Sequence, residues 1–168
     1  PLIPTENLCE TTSNMNAFVA TSSVCRMLAI DLIKISNDLK LLNMGPLAGI
    51  SEITLPEVEP GSSIMPGKVN PSIAEAVHMA AYDVMAGDFA IALAAQAGQL
   101  ELNVMTPLIL KHLLGNLQLL TNTCEMFRKF CIEGIKVNEN CEQECKTIKA
   151  VFIRSASLFS NSKKIDLQ

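Results

Sequence analysis

After Pro71 the chain runs to about residue 97 through "AEAVHMAAYDVMAGDFAIALAAQ", dense in alanine and free of proline. Such a stretch has one favourable regular conformation, a long helix, because alanine loses the least on entering one. Alanine also puts little bulk on the helix surface, so neighbouring backbones approach closely, as they do in the middle of a bundle. The flanking segments agree. Residues 8–42 carry Val24, Met27, Leu28, Ile30, Leu32, Ile35, Leu39 and Leu42 at intervals of three and four, a helical period. Residues 103–133 read as a third helix, with Pro107 in its first turn or at a kink and Gly134 closing it. Between them, "NMGPLAG" stops the first helix at Gly45 and Pro46, and "GQLELN" is a short turn. "ISEITLPEVEPGSS" cannot be helical through its two prolines and reads as an extended connector. From residue 136 onward, "KVNENCEQECKTIKAVFIRSASLF" is expected to give a fourth, shorter helix before a frayed tail. The fold class is all-α, a long-helix bundle.

Composition supports this reading and narrows the partners. The chain has 168 residues, enough for one domain or a piece of a larger one. Its hydrophobic fraction is 49%, yet aromatics are only 4%, so the core is aliphatic and part of it is expected to lie between subunits. A net charge of −4 with dispersed lysines and arginines leaves no basic stripe, which argues against nucleic acid as a partner. No apolar run is expected to span a bilayer, because "FAIALAAQAGQL" is bounded by Asp88 and interrupted by Gln96 and Gln99. The N-terminus lacks a signal-peptide layout and an initiator Met, so the chain is expected to begin partway through its gene. Six cysteines are read as reduced cytoplasmic thiols. Cys141 and Cys145 have the i, i+4 spacing of metal ligands, but no second ligand pair lies near, so neither metal nor cofactor is expected.

The sizeable irregular polar segment is "GSSIMPGKVNPS", residues 61–72, between the first and second long helices. Gly61 and Gly67 permit backbone conformations that other residues resist and leave room for a ligand. Ser62 and Ser63 offer hydroxyls and N–H groups, Lys68 a point charge with three donors, and Asn70 an amide at the positive end of the next helix. Together they suit an anion beside a nucleophile or base. A plainer reading stands next to it. Asn70-Pro71 is a good helix start, with Asn as N-cap and Pro at N1, and Ser72 to Glu75 spells a capping box. The Walker spacing of phosphate-binding loops is absent, since Gly61 and Gly67 are one residue too far apart.

"GSSIMPGKVNP" resembles the signature of the fumarase/aspartase superfamily, G-S-S-x-M-P-x-K-x-N, at every fixed position. The likeness continues through "LIKISNDLKLL", "GISEITLPEVEPGSS", "AGQLELNVMTPLI" and "CIEGI", roughly residues 28–134. It implies a homotetrameric lyase whose active sites combine segments of three subunits and eliminate ammonia or water from a small dicarboxylate to give fumarate. It further implies residues 1–135 as a partial central bundle domain with its signature loop at 61–71, and residues 136–168 as the start of a truncated C-terminal region. By the same resemblance Ser62 is the catalytic base, its oxyanion stabilised by loop N–H groups and a cation. Ser63, Lys68 and Asn70 bind substrate, with Lys68 favouring the dianionic aci-carboxylate. Gly61 and Gly67 act as loop hinges. Glu75 orients a histidine from another segment. His78 and His112 match no catalytic position and read as helix-face histidines.

"PGKVNP" is unlike the argininosuccinate and adenylosuccinate branches, and "AAQAGQLELNVMTP" is more similar to the aspartase pattern than to S-G-N-F-E-L-N-V-F-x-P of fumarases. Ammonia elimination from L-aspartate is therefore the expected reaction, with fumarate hydration as the alternative. Three departures matter: the Thr/Ser-rich and histidine-bearing segments of the family site are missing, Leu47 stands where arginine is common, and the C-terminus drifts from the family pattern. They leave open a non-catalytic helical association module. They also imply that the chain alone carries an incomplete site.

Overall fold

The computed structural model describes residues 3–45, 49–61, 64–65 and 67–138. In order these form α1 (Leu8–Ser13), α2 (Asn16–Leu42), β1 (Ile53–Thr54), α3 (Ser72–Ala95), α4 (Thr106–Phe127), a π-helical turn (Arg128–Ile132) and β2 (Lys136–Val137). Leu47 and the tail from residue 139 on, with Cys141 and Cys145, lie outside the described residues.

The helix expected over residues 8–42 is two helices. Asn14 is extended, with φ −87° and ψ 119°, and its Oδ1 accepts the Asn16 N–H at 2.8 Å. Asn7 caps α1 in the same way, accepting the Glu10 N–H at 3.1 Å. Short amide side chains that bond their own backbone compete with helix continuation, and this is where α1 and α2 part. The third helix starts three residues later than expected. Asn103 stays outside it, donating from Nδ2 to the Ala94 and Ala95 carbonyls at 3.0 Å each and accepting the Met105 N–H at 2.9 Å. That side chain ties the α3–α4 turn to the end of α3, and Pro107 falls in the first turn of α4.

The fourth helix expected from residue 136 does not begin there. Lys136 and Val137 instead pair antiparallel with Thr54 and Ile53. Asn138 fixes the register: its Oδ1 accepts from Thr54 Oγ1 and its Nδ2 donates to the Ser51 carbonyl, both at 2.8 Å. This short ladder anchors the connector that leads to the polar loop.

α3 packs between α2 and α4. The buried positions are Ser22, Cys25, Ala29, Leu32 and Ser36 on α2 and Ile109, Leu113, Asn116, Leu120, Thr123 and Phe127 on α4. Both stripes step alternately by three and four, the seam of nearly antiparallel packed helices. α3 presents Ala74, Val77, Ala81, Val84, Ile91 and Ala94 to both sides. The α2 stripe is not the one its large residues suggested. Val24, Met27 and Ile35 are 59%, 55% and 45% exposed, because the alanine-rich α3 accepts small side chains at close range and the large ones turn away.

One charged residue sits in this interface. Asp88 of α3, 5% exposed, accepts from Ser22 Oγ at 2.6 Å and pairs with Arg26 at 3.0 Å. A buried carboxylate is costly unless paired, and α2 supplies both partners. α3 is, by length and composition, apolar enough to cross a membrane, with a mean hydropathy of 1.2 over its best window, contrary to the expectation from sequence. Its buried Asp88, and its place between two helices, account for the same composition as that of a core helix.

Candidate active site

The polar loop leaves the end of α2 under tight backbone control. Asn43 Oδ1 accepts the Leu55 N–H at 2.9 Å, while Ser51 and Glu52 donate back to the Met44 and Leu42 carbonyls at 2.7 and 3.0 Å. Leu55 then enters the main core beside Val77 and Phe127. The connector that follows Leu55 therefore starts from a fixed point in the bundle.

Ser62 and Ser63 lie outside the described residues, so the structure does not place the expected base or its neighbour. Lys68 and Asn70 are exposed at the loop end of α3. The Lys68 N–H donates to the Met65 carbonyl at 3.1 Å, a tight turn through Gly67 at φ +82°, a left-handed conformation that glycine adopts freely. Gly61 serves by close approach: a Cβ there would stand 2.7 Å from the Lys68 carbonyl oxygen. The two stems of the loop thus touch at Gly61 and Lys68.

The start of α3 differs from the sequence reading. Pro71, not Asn70, is the residue before the helix, and no side chain caps it. Ser72 turns away from the capping-box geometry and donates its hydroxyl to the Glu59 carboxylate on the incoming stem. Glu75 is exposed in the first turn of α3, and its backbone N–H bonds the Pro71 carbonyl at 3.1 Å. Its carboxylate is left facing outward, where it can meet a group from another segment. Glu59 was not singled out from sequence. Its partner is thirteen residues away across the loop, and no local pattern marks such a pair.

The two histidines lie on helix faces. His78 is half-buried between α3 and α2, with Nδ1 3.5 Å from Lys40 Nζ, Nε2 3.3 Å from the Ile33 carbonyl and Tyr82 edge-on at 6.0 Å. His112 lines an open groove of about 530 Å³ between α3 and α4 with Asp83, Lys111 and Asn116. That groove lies about three to four turns along α3 from the loop. Among the described residues no group of three His, Cys, Asp or Glu side chains is placed to hold a metal ion.

A bundle of long helices, with a glycine-containing loop that carries a lysine and an asparagine into the start of α3, is the architecture whose relatives are lyases. A family model described as lyase matches residues 1–86. The chain is 51% identical over 139 residues to an aspartate ammonia-lyase of Pseudomonas fluorescens, covering 83% of this chain and 29% of that protein. A fumarate lyase:delta crystallin from Brucella melitensis superposes with a TM-score of 0.78 at 45% identity, over 82% of this chain and 31% of the other. A class II fumarase from Schistosoma mansoni superposes with a TM-score of 0.80 at 41% identity, over 84% of this chain and 29% of the other. The chain belongs to the fumarase/aspartase superfamily of lyases, and it spans about three tenths of the length of these relatives.

Proposed function

We propose that the protein eliminates ammonia from L-aspartate to give fumarate, with this chain supplying the loop portion of a shared active site. The observation that carries the reading is the complete "GSSIMPGKVNP" sequence leading into α3, in a chain about half identical to an aspartate ammonia-lyase. Ser62 removes the C3 proton, and the resulting aci-carboxylate is held by Lys68 and Asn70 while the amine departs from C2. A serine is a weak acid, so its oxyanion needs donors fixed in advance, which loop N–H groups such as that of Ser63 supply. Lys68 binds one substrate carboxylate and gains strength as that carboxylate takes a second negative charge, lowering the barrier rather than only the ground state. Gly61 and Gly67 let the loop follow the substrate. Glu75 reaches outward to orient a histidine from another segment, so the chain alone is expected to be inactive.

Oligomerisation completes the site. Val24, Met27, Phe89, Leu93 and Leu114 are large, apolar and 46–65% exposed on the long helices, which favours burial against copies of the bundle, as a homotetramer. We assign the protein to the cytoplasm, in keeping with the free thiols of Cys9, Cys25, Cys124 and Cys131. The turn "AGQLELNVMTP" favours L-aspartate over L-malate, while the likeness to a class II fumarase keeps malate as the second substrate to try. Fumarate formation, followed by ultraviolet absorbance with each substrate supplied separately, tests the choice. Fumarate from L-aspartate and none from L-malate is expected. The reverse outcome would transfer the reaction to hydration.

A further inference from the structure

We infer that Glu59 and Ser72 act together as positioning residues for Lys68, a role that rests on the proposed carboxylate-binding function of that lysine. The stems of the loop meet at two rungs. The outer one is the Ser72 hydroxyl donating to the Glu59 carboxylate. The inner one is the backbone contact of Gly61 with the Lys68 carbonyl, too close for a Cβ. Ser72 is the first residue of α3, so the outer rung fastens the incoming stem to a rigid helix. Between the rungs lie Val69, Asn70 and Pro71, and beyond the inner rung the Lys68 N–H closes its turn on Met65.

Four observations bear on the role. Glu59 sits on a connector already anchored at Leu55 and at the β1–β2 ladder, so a bond from it to α3 leaves the lysine little freedom at either side. A carboxylate acceptor makes the bond charge-assisted and stronger than a neutral one. Ser72 has no capping bond to the α3 backbone, so its hydroxyl is committed across the loop rather than along the helix. Its remaining contact, to the Asn70 carbonyl at 3.5 Å, is long. The lysine side chain itself is exposed, so its aim depends on how its backbone is held.

The test is hydrogen–deuterium exchange of the loop peptide, read in the full 168-residue chain. Glu59→Ala and Ser72→Ala are each expected to speed exchange at the Gly67 and Lys68 amides about tenfold, while Ser72→Thr, which keeps the hydroxyl, retains the parent rate. Peptides from the middle of α3 stay unchanged in all three. If Ser72 served only as a helix start, its alanine variant would speed exchange in the first turn of α3 instead, and Glu59→Ala would be silent. That pattern, or unchanged loop exchange in both alanine variants, overturns the inference. The consequence for catalysis is read in the assembled enzyme, where both alanine variants are expected to raise KM for L-aspartate about tenfold with a smaller change in kcat. Faster loop exchange with no fumarate formed even by the parent protein would sink the proposed function and leave the clasp standing. Fumarate formation with an unchanged KM in both alanine variants would do the opposite.

Discussion

Cys25 and Cys131 are buried among the core helices, and burial pushes both thiols above their ordinary range, with the charge of Asp88 adding to the rise at Cys25. Cys9 by contrast is exposed. Among the described cysteines, alkylation mapped by mass spectrometry is therefore expected to modify Cys9 first and Cys25 and Cys131 last. The same shifts have a consequence for stability. Above about pH 8.5 the thiols of the unfolded chain ionise while those of the fold stay protonated, so the unfolded state binds fewer protons. Stability is thus complete below that pH and falls as pH rises through the raised folded values. Urea midpoints measured from neutral into alkaline solution are expected to fall, and a double Cys25→Ala, Cys131→Ala variant to fall less steeply. At this scale the candidate site can be read from sequence only as a set of candidates. Lys68, Asn70 and the glycines announce themselves as a polar interruption of apolar helices. Glu59 does not, because its meaning comes from a partner brought near only by the loop's closure. Ser72 was legible as a helix-start residue but not as one whose hydroxyl points away from its own helix.

Two packing features carry the helices. Gly87 of α3 meets the Asn116 side chain of α4, and a Cβ there would lie 2.6 Å from Oδ1 and 2.8 Å from Nδ2. Asn116 is buried and donates from Nδ2 to the Val84 carbonyl at 3.1 Å, so it cannot simply swing aside. Gly87→Ala is expected to cost about 1–3 kcal/mol in chemical denaturation, the range of an overpacked core, even though alanine is the better helix former. On the other side of α3, Arg26→Ala leaves the Asp88 carboxylate buried with Ser22 as its remaining partner. A loss of about 1–3 kcal/mol is expected, with Arg26→Lys recovering part of it. The helices themselves were legible, since the alanine-rich run could form little else. The face that α2 buries was not. Sequence periodicity favours the stripe with the largest apolar residues, whereas the close approach of α3 selects Ser22, Cys25, Ala29 and Ser36. The start of β2 was also hidden, because a two-residue pairing with a segment more than eighty positions earlier leaves no local period.

At the level of the molecule, the large apolar residues left exposed on α2, α3 and α4 are the surface through which association is expected. Helices that leave Val24, Met27, Phe89, Leu93 and Leu114 exposed are expected to self-associate, so sedimentation velocity of the 168-residue chain should show oligomers rather than a monomer. Asp or Glu placed together at Met27 and Leu114 should shift the distribution toward monomer without loss of helix. The family signature and the bundle were both readable from sequence because they rest on local residue runs. That the chain alone carries an incomplete site was also a reading of its residues, but the segments that would complete it lie outside this sequence and left no trace in it. The most direct measurement is fumarate formation from L-aspartate by the natively expressed gene product, beside its Ser62→Ala variant. Turnover lost by about 10²–10⁴-fold in the variant, with helix content and oligomeric state unchanged, is the expected result for a general base. Parent-like turnover in Ser62→Ala, or a correctly assembled parent that forms no fumarate, would contradict it.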